Sequence, residues 1–174
     1  MRHQDGWKAI SDENIQIIRE LWTQTEPKFS GPNYELSNVV FSPKPVQTPH
    51  PPIWVGGRSK RAIRRAVELG DGWHPNLMPV KELRESVKYM EILSRRKGRS
   101  APSILSARAP VDFDKKPEET RAILCGSNKD IAELINDYAS LGVAHLIISF
   151  SEPTMDKQLV NLERFADKII PLIR

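Results

Sequence analysis

The sequence predicts an α/β fold built on a parallel sheet. Short apolar runs alternate with helix-patterned segments, Gly or Pro bounds the runs, and the spacing suits crossover helices. A helix and a hairpin come first, then strand and helix four times over, which fits a small open α/β sheet or half of an eight-unit (β/α)8 barrel. The strands read as apolar runs of the kind expected when both sheet faces are covered. At 174 residues, 39% apolar and 28% charged, the chain is expected to form one domain over 1–174. Residues 1–50 supply the helix, hairpin and Pro-rich lead-in, and 51–174 the four βα units.

Each element has a local cause. "SDENIQIIRELWTQ" from Ser11 has a capping residue, early acids, and Ile15, Ile18, Leu21 and Trp22 at helical spacing. Gly31-Pro32-Asn33, between Phe29 and Tyr34, predicts a small hairpin. Five prolines between Pro43 and Pro52 enforce extended chain. Ile53 to Val55 reads as a buried strand, followed by a helix with Ser59 as cap, Ala62, Ile63, Ala66 and Val67 inward, and Gly70 as stop. A strand at Gly72 to His74 precedes a helix opened by Pro79, with Leu83, Val87, Met90 and Leu93 inward, ending at Gly98. Ser103 to Ala109 reads as the next strand, and the charged stretch from Asp112 to Thr120 as an exposed excursion. Ser127 caps a helix with Ile131, Leu134, Ile135, Tyr138 and Leu141 inward and Gly142 as terminator. "AHLIISF" reads as the clearest buried strand, and a helix from about Met155 to Ile173 closes the chain.

Bulk properties exclude several classes. No apolar run approaches the roughly 20 residues of a membrane helix, and "MRHQDGWKAI" lacks a signal-peptide core, so a cytoplasmic protein is expected. Cys125 is the single cysteine, which excludes an internal disulfide and a thiolate metal cluster. A net charge of +4 is compatible with anionic partners and identifies none.

The chemistry concentrates in "PPIWVGGRSKRAIRRAVELGDGWHP". Two glycines at a strand end let a ligand approach the backbone, and the next helix aims free N–H groups and its positive end at that place. Gly56, Gly57, Arg58 and Ser59 can therefore form a phosphate cradle, although a Gly-Gly turn before a helix is also an ordinary βα connection. It is neither a Walker loop nor the six-residue dinucleotide fingerprint. Arg58, Lys60, Arg61, Arg64 and Arg65 raise a nucleic-acid reading, against which stands an ordinary solvated helix face. His3, His50 and His145 are scattered without metal-ligand spacing, so no metal site is expected. His74 differs, because it ends a strand where active sites of parallel α/β folds gather. A lone Cys125 reads as inert packing, and no Ser-His-Asp set assembles.

"SPKPVQTPHPPIWVGGRSKRAIRRAVELGDGWHP", "GSNKDIAELINDYASLGVAHLIISF" and "LERFADKIIPLIR" together resemble the C-terminal half of the bacterial luciferase-like flavin monooxygenase superfamily, deazaflavin-dependent oxidoreductases included. The resemblance implies a (βα)8 barrel binding FMN or the deazaflavin coenzyme F-420 at the C-terminal strand ends. It places Ile53 to Gly56 at the fifth strand, Gly72 to His74 at the sixth, Ser103 to Ala109 at the seventh and Ala144 to Phe150 at the eighth. It implies that Gly56 and Gly57 lie against the cofactor phosphate with Arg58 and Ser59 beside them, and that Trp73 and His74 sit at the pocket mouth. The cofactor would carry the redox chemistry. The first four βα units of the family have no counterpart here, so a missing N-terminal half-barrel or a homodimer is the expected partner, and activity of the chain alone stays open. The alternatives are a non-catalytic α/β module for a phosphate-bearing ligand and, third, a nucleic-acid-binding protein.

Overall fold

The computed structural model describes residues 3–98, 104–115, 122–150 and 152–173, with side chains from residue 10 onward. Helix α1 (His3–Thr23) precedes a hairpin of β1 (Phe29–Ser30) and β2 (Glu35–Leu36). Then come β3 (Trp54–Gly56), α2 (Lys60–Leu69), β4 (Gly72–His74), α3 (Val80–Arg96), β5 (Ile104–Asp112), β6 (Leu124–Cys125), α4 (Asn128–Ser140), β7 (Val143–Phe150) and α5 (Met155–Lys168), with a 3₁₀ turn at Ile170–Leu172. Ser103, residues 116–120 of the charged excursion and the His3 side chain lie outside the described residues.

Local capping sets the helix ends. Ser59 Oγ accepts from the Ala62 N–H at 3.1 Å, and α2 buries Ala62, Ile63, Ala66 and Val67. Ser127 and Asp130 form a reciprocal capping box at α4. The left-handed φ of +64° at Gly98 and +85° at Gly142 follow the last turns of α3 and α4. Helix α1 begins earlier than the Ser11 cap predicts. It docks on α2 through Asp12, which pairs with Arg61 and Arg65, and through Arg19, which donates to the Leu69 carbonyl at 2.8 Å. Buried Glu13 accepts from the Asn33 and Tyr34 N–H groups, both at 3.1 Å, and so pins the hairpin turn to α1.

The expected parallel α/β sheet is present. β3 pairs with β4, β4 with β5 and β5 with β7, all parallel. The two-residue β6, absent from the sequence reading, also pairs with β5. Leu105 pairs with both Trp73 and Val143, and Val111 with both Leu124 and Phe150, so β4 and β6 share one edge of β5 while β7 takes the other. Among the described residues β3 pairs only with β4, and β7 only with β5.

Pleating divides the sheet into unlike faces. Val55, Trp73, Leu105, Ala107, Ala109 and Val111 point one way, into a core completed by Ile63, Leu83, Ile131, Phe165 and Ile169 from the helices. Trp54, Gly56, His74, Ser106, Arg108, His145 and Ile147 fall on the other side by the same register. The expectation that both faces are covered is therefore corrected: Trp54 is 39% and Ile147 47% exposed. The reading of "AHLIISF" as the clearest buried strand is corrected with it, since no residue of β7 is fully buried. β7 is half-covered because Val143 and then the alternate side chains Leu146, Ile148 and Phe150 pack against the core, while His145 and Ile147 face away from it.

Candidate functional site

Gly56 closes β3 in register with His74, and its backbone lies open toward the uncovered face. A Cβ placed there would meet only the His74 carbonyl oxygen, at 4.0 Å. Gly57 is different: its φ is +118°, and a Cβ would come within 3.1 Å of the Ala62 Cβ. Both its backbone groups are engaged. The N–H donates to the His74 carbonyl at 3.2 Å, and the carbonyl accepts from the Trp73 indole Nε1 at 2.8 Å. Helix α2 starts immediately beyond, so its first N–H groups have no acceptor one turn earlier. Ser59 is the side-chain cap of that helix, and the Arg58 guanidinium is paired with Glu82 of α3.

The structure separates the two residues expected at the pocket mouth. Trp73 is fully buried on the helix side, whereas His74 points to the uncovered face. His74 Nδ1 lies 2.8 Å from the Oγ of Ser106, itself 0% exposed. Partial burial, and then the nearby Arg108 charge, hold the His74 imidazole below its ordinary pKa, so it is neutral near pH 7. The Arg108 guanidinium reaches Ser149 Oγ at 3.4 Å. Trp54 lies along the same face, its ring centroid 6.4 Å from His74 and 5.4 Å from His145. Ser106 and Arg108 escape a reading that treats their strand as an apolar run, yet they sit two residues apart, as same-face strand residues do.

Together these groups offer an open backbone position beside a helix N-terminus, a neutral imidazole held by a buried hydroxyl, and a guanidinium one step further along the face. That set can bind and orient an anionic, partly planar ligand. Of the basic residues behind the nucleic-acid reading, Arg58, Arg61 and Arg65 are in ion pairs with Glu82 and Asp12, which suits a solvated helix face. Among the described residues no helix is long and apolar enough to cross a membrane.

The fold and this site define a parallel α/β protein with an open ligand-facing sheet face at its strand ends. The family model described as luciferase-like monooxygenase matches residues 5–122, so the chain belongs to the luciferase-like monooxygenase family. The chain is similar to an FMNH(2)-dependent dimethylsulfone monooxygenase of Pseudomonas putida, 28% identical over 71% of this chain and 33% of the relative. It is also similar to the pyrimidine monooxygenase RutA of Allorhizobium ampelinum, 27% identical over 94% of this chain and 57% of the relative. The chain thus spans between a third and just over half of these relatives' lengths. Among solved structures, an F420-dependent secondary alcohol dehydrogenase in complex with an F420-acetone adduct shares the fold, with a TM-score of 0.80 at 14% identity over 98% of this chain and 63% of that one.

Proposed function

We propose that this chain is the cofactor-phosphate side of a reduced-flavin or F-420-dependent oxidoreductase, its strands β3, β4, β5 and β7 serving as the fifth to eighth strands of a (βα)8 barrel. The observation that carries the reading is the open backbone at Gly56 beside the N-terminus of α2, where an oxyanion can approach without meeting a side chain. Family membership supports the same assignment. In this reading Gly56 and the first N–H groups of α2 bind the phosphate. Gly57 and Ser59 shape the turn, and Arg58, held by Glu82, borders it. The bound cofactor supplies the hydride or electron chemistry. His74 and Ser106 orient the ligand on the uncovered face and hold a proton at the imidazole. The pairing partner for the edges of β3 and β7 that are unpaired among the described residues is the remaining half of the barrel or a second copy of the chain.

Flavin fluorescence during titration with FMN, and deazaflavin fluorescence with F-420, tests the reading. Gly56→Ala adds one methyl into open space, so the variant should fold normally and bind the preferred cofactor at least about tenfold more weakly, about 1.4 kcal/mol. Equal binding by wild type and variant would remove Gly56 from the site. Failure of wild type, in full-length or paired form, to bind either cofactor would end the proposal.

A further inference from the structure

We infer that the uncovered face binds an organic oxyanion, a carboxylate, sulfonate or phosphate on an apolar or planar body, with Arg108 as its charge-recognition residue and His74 as the adjoining hydrogen-bond donor. The inference rests on the reading of this face as the ligand face, and it adds the charge and shape of what binds there.

Three features of the face carry it. The first is the placement of Arg108. Register puts Gly56, His74, Ser106 and His145 in one row across the strands, with Asn76, Arg108 and Ile147 in the next row toward the strand ends. The Arg108 backbone is fixed there, because its carbonyl accepts from the Leu77 N–H at 3.2 Å and Asn76 bridges to it. Its side chain has only the 3.4 Å contact with Ser149 and no carboxylate within ion-pair distance among the described residues. Asp112, the acid further along the same strand, is taken by Lys115 at 2.8 Å and by the Asp114 and Lys115 N–H groups. A guanidinium offers five N–H donors in a planar fork matched to an oxyanion.

The second feature is the imidazole. Ser106 is buried and holds His74 Nδ1, which leaves Nε2 as the ring nitrogen available to a ligand. Of the two neutral tautomers, the one in which Nδ1 accepts from the Ser106 hydroxyl carries its proton on Nε2 and donates outward, and that is the tautomer an oxyanion selects. Arg108 is the charge that acts on His74, so an anion between the two meets the guanidinium and the N–H of the neutral ring together. The third feature is the floor. Trp54 and Ile147 expose apolar surface on the same face, which suits a ligand with an apolar body behind its charged end.

The test uses the 174-residue chain labelled with 15N, titrated with benzenesulfonate and, as the uncharged counterpart, benzenesulfonamide, while the His74 ring nitrogens and Arg108 Nε are followed by NMR. Wild type should give saturable shifts with the sulfonate and at least about tenfold weaker binding of the sulfonamide. Arg108→Gln, an exchange at an exposed side chain, should keep the amide spectrum of the fold and weaken the sulfonate about tenfold, with Arg108→Lys between the two. FMN and riboflavin titrations then separate the sources. Loss of FMN but not riboflavin affinity in Arg108→Gln assigns the oxyanion to the cofactor phosphate, and unchanged FMN affinity assigns it to a substrate acid. Absence of sulfonate binding, or binding that Arg108→Gln does not change, overturns the inference. Arg108-dependent sulfonate binding in a chain that takes neither FMN nor F-420 overturns only the cofactor reading.

Discussion

The Trp73 indole donates to the Gly57 carbonyl at 2.8 Å, and through that bond the helix-side core holds the loop that borders the opposite face. Trp73 is fully buried in the layer between sheet and helices, so its position is set by packing. Trp73→Phe keeps most of the apolar volume and removes the donor. The expected result is a loss of about 1–3 kcal/mol in urea unfolding, the usual range for a partner left without its hydrogen bond. Cofactor affinity should fall as well, because the Gly57 turn is freed. A variant with wild-type stability and affinity would show that packing alone fixes the loop.

The paired glycines separate fold from function. Gly57 has a φ of +118° and a Cβ there would crowd Ala62 at 3.1 Å, so Gly57→Ala should cost about 1–3 kcal/mol of stability. Gly56→Ala meets nothing closer than 4.0 Å and should be near neutral in the same unfolding experiment. Calorimetric melting of both variants checks the contrast, and comparable destabilisation of the two would sink the picture of an open backbone at Gly56.

His74 gives the fold a pH dependence of known sign. Its folded pKa lies below 6.5, chiefly through burial and then through Arg108, so the unfolded chain takes up the proton first as pH falls. Stability from this residue is fully present above pH 6.5, declines as pH drops below that value, and levels off beneath the folded pKa. The groups facing the ring are Ser106 and Arg108 from β5 and Trp54 from β3. Urea midpoints between pH 8 and pH 5 should therefore slope less in His74→Gln than in wild type. Arg108→Gln should shrink the slope in part, because it removes the smaller of the two causes. Superimposable pH profiles for wild type and His74→Gln would count against a depressed imidazole.

Tyr138 acts at the other end of the pH scale and on the same loop. From α4 its hydroxyl donates to the Met78 carbonyl at 2.7 Å, tying down the segment that follows His74. Burial pushes the phenol up to about 12 from 10.0. Since the unfolded phenol ionises first, stability is lost as pH rises above 10 toward about 12. Tyr138→Phe should lower stability by about 1–2 kcal/mol at pH 7 and flatten the alkaline loss, both read from unfolding curves at pH 7 and 11.

Local chemistry made much of the fold legible. Ser59 and Ser127 announce α2 and α4 because a cap bonds to a backbone group within three residues of itself. β6 was hidden because Leu124 and Cys125 become a strand only by pairing with Val111 and Asp112. The end of β5 was hidden by Pro110, which breaks an ordinary ladder. Here the Arg108 carbonyl faces the loop after β4, so Pro110 two residues on faces the same edge. Its missing N–H falls between the last pairing of β4 and the first of β6. At the site, Gly56 and His74 were visible as strand ends, and Ser106 and Arg108 were lost inside a run read as apolar. Alternation along β5 was the available signal, since the face it defines decides which polar residues meet His74.

Helix α5 and the turn beyond it carry exposed apolar side chains. Met155, Leu159, Leu162 and Ile170 recur at near-helical spacing on α5 and the turn beyond it, and are 69%, 50%, 49% and 54% exposed. Met155, Leu159 and Leu162 lie on α5, which packs against β7, whose outer edge is unpaired among the described residues. An unpaired strand edge together with exposed apolar side chains on the neighbouring helix drives association. The chain alone should therefore run larger than a monomer in size-exclusion chromatography with light scattering, increasingly so with concentration. Leu159→Lys with Leu162→Glu removes two exposed apolar groups and buries no charge. The double variant should shift the chain toward monomer with stability changed by less than about 0.5 kcal/mol, as for exposed positions generally. A wild-type chain that stays monomeric at high concentration would show that neither the stripe nor the edge needs a partner.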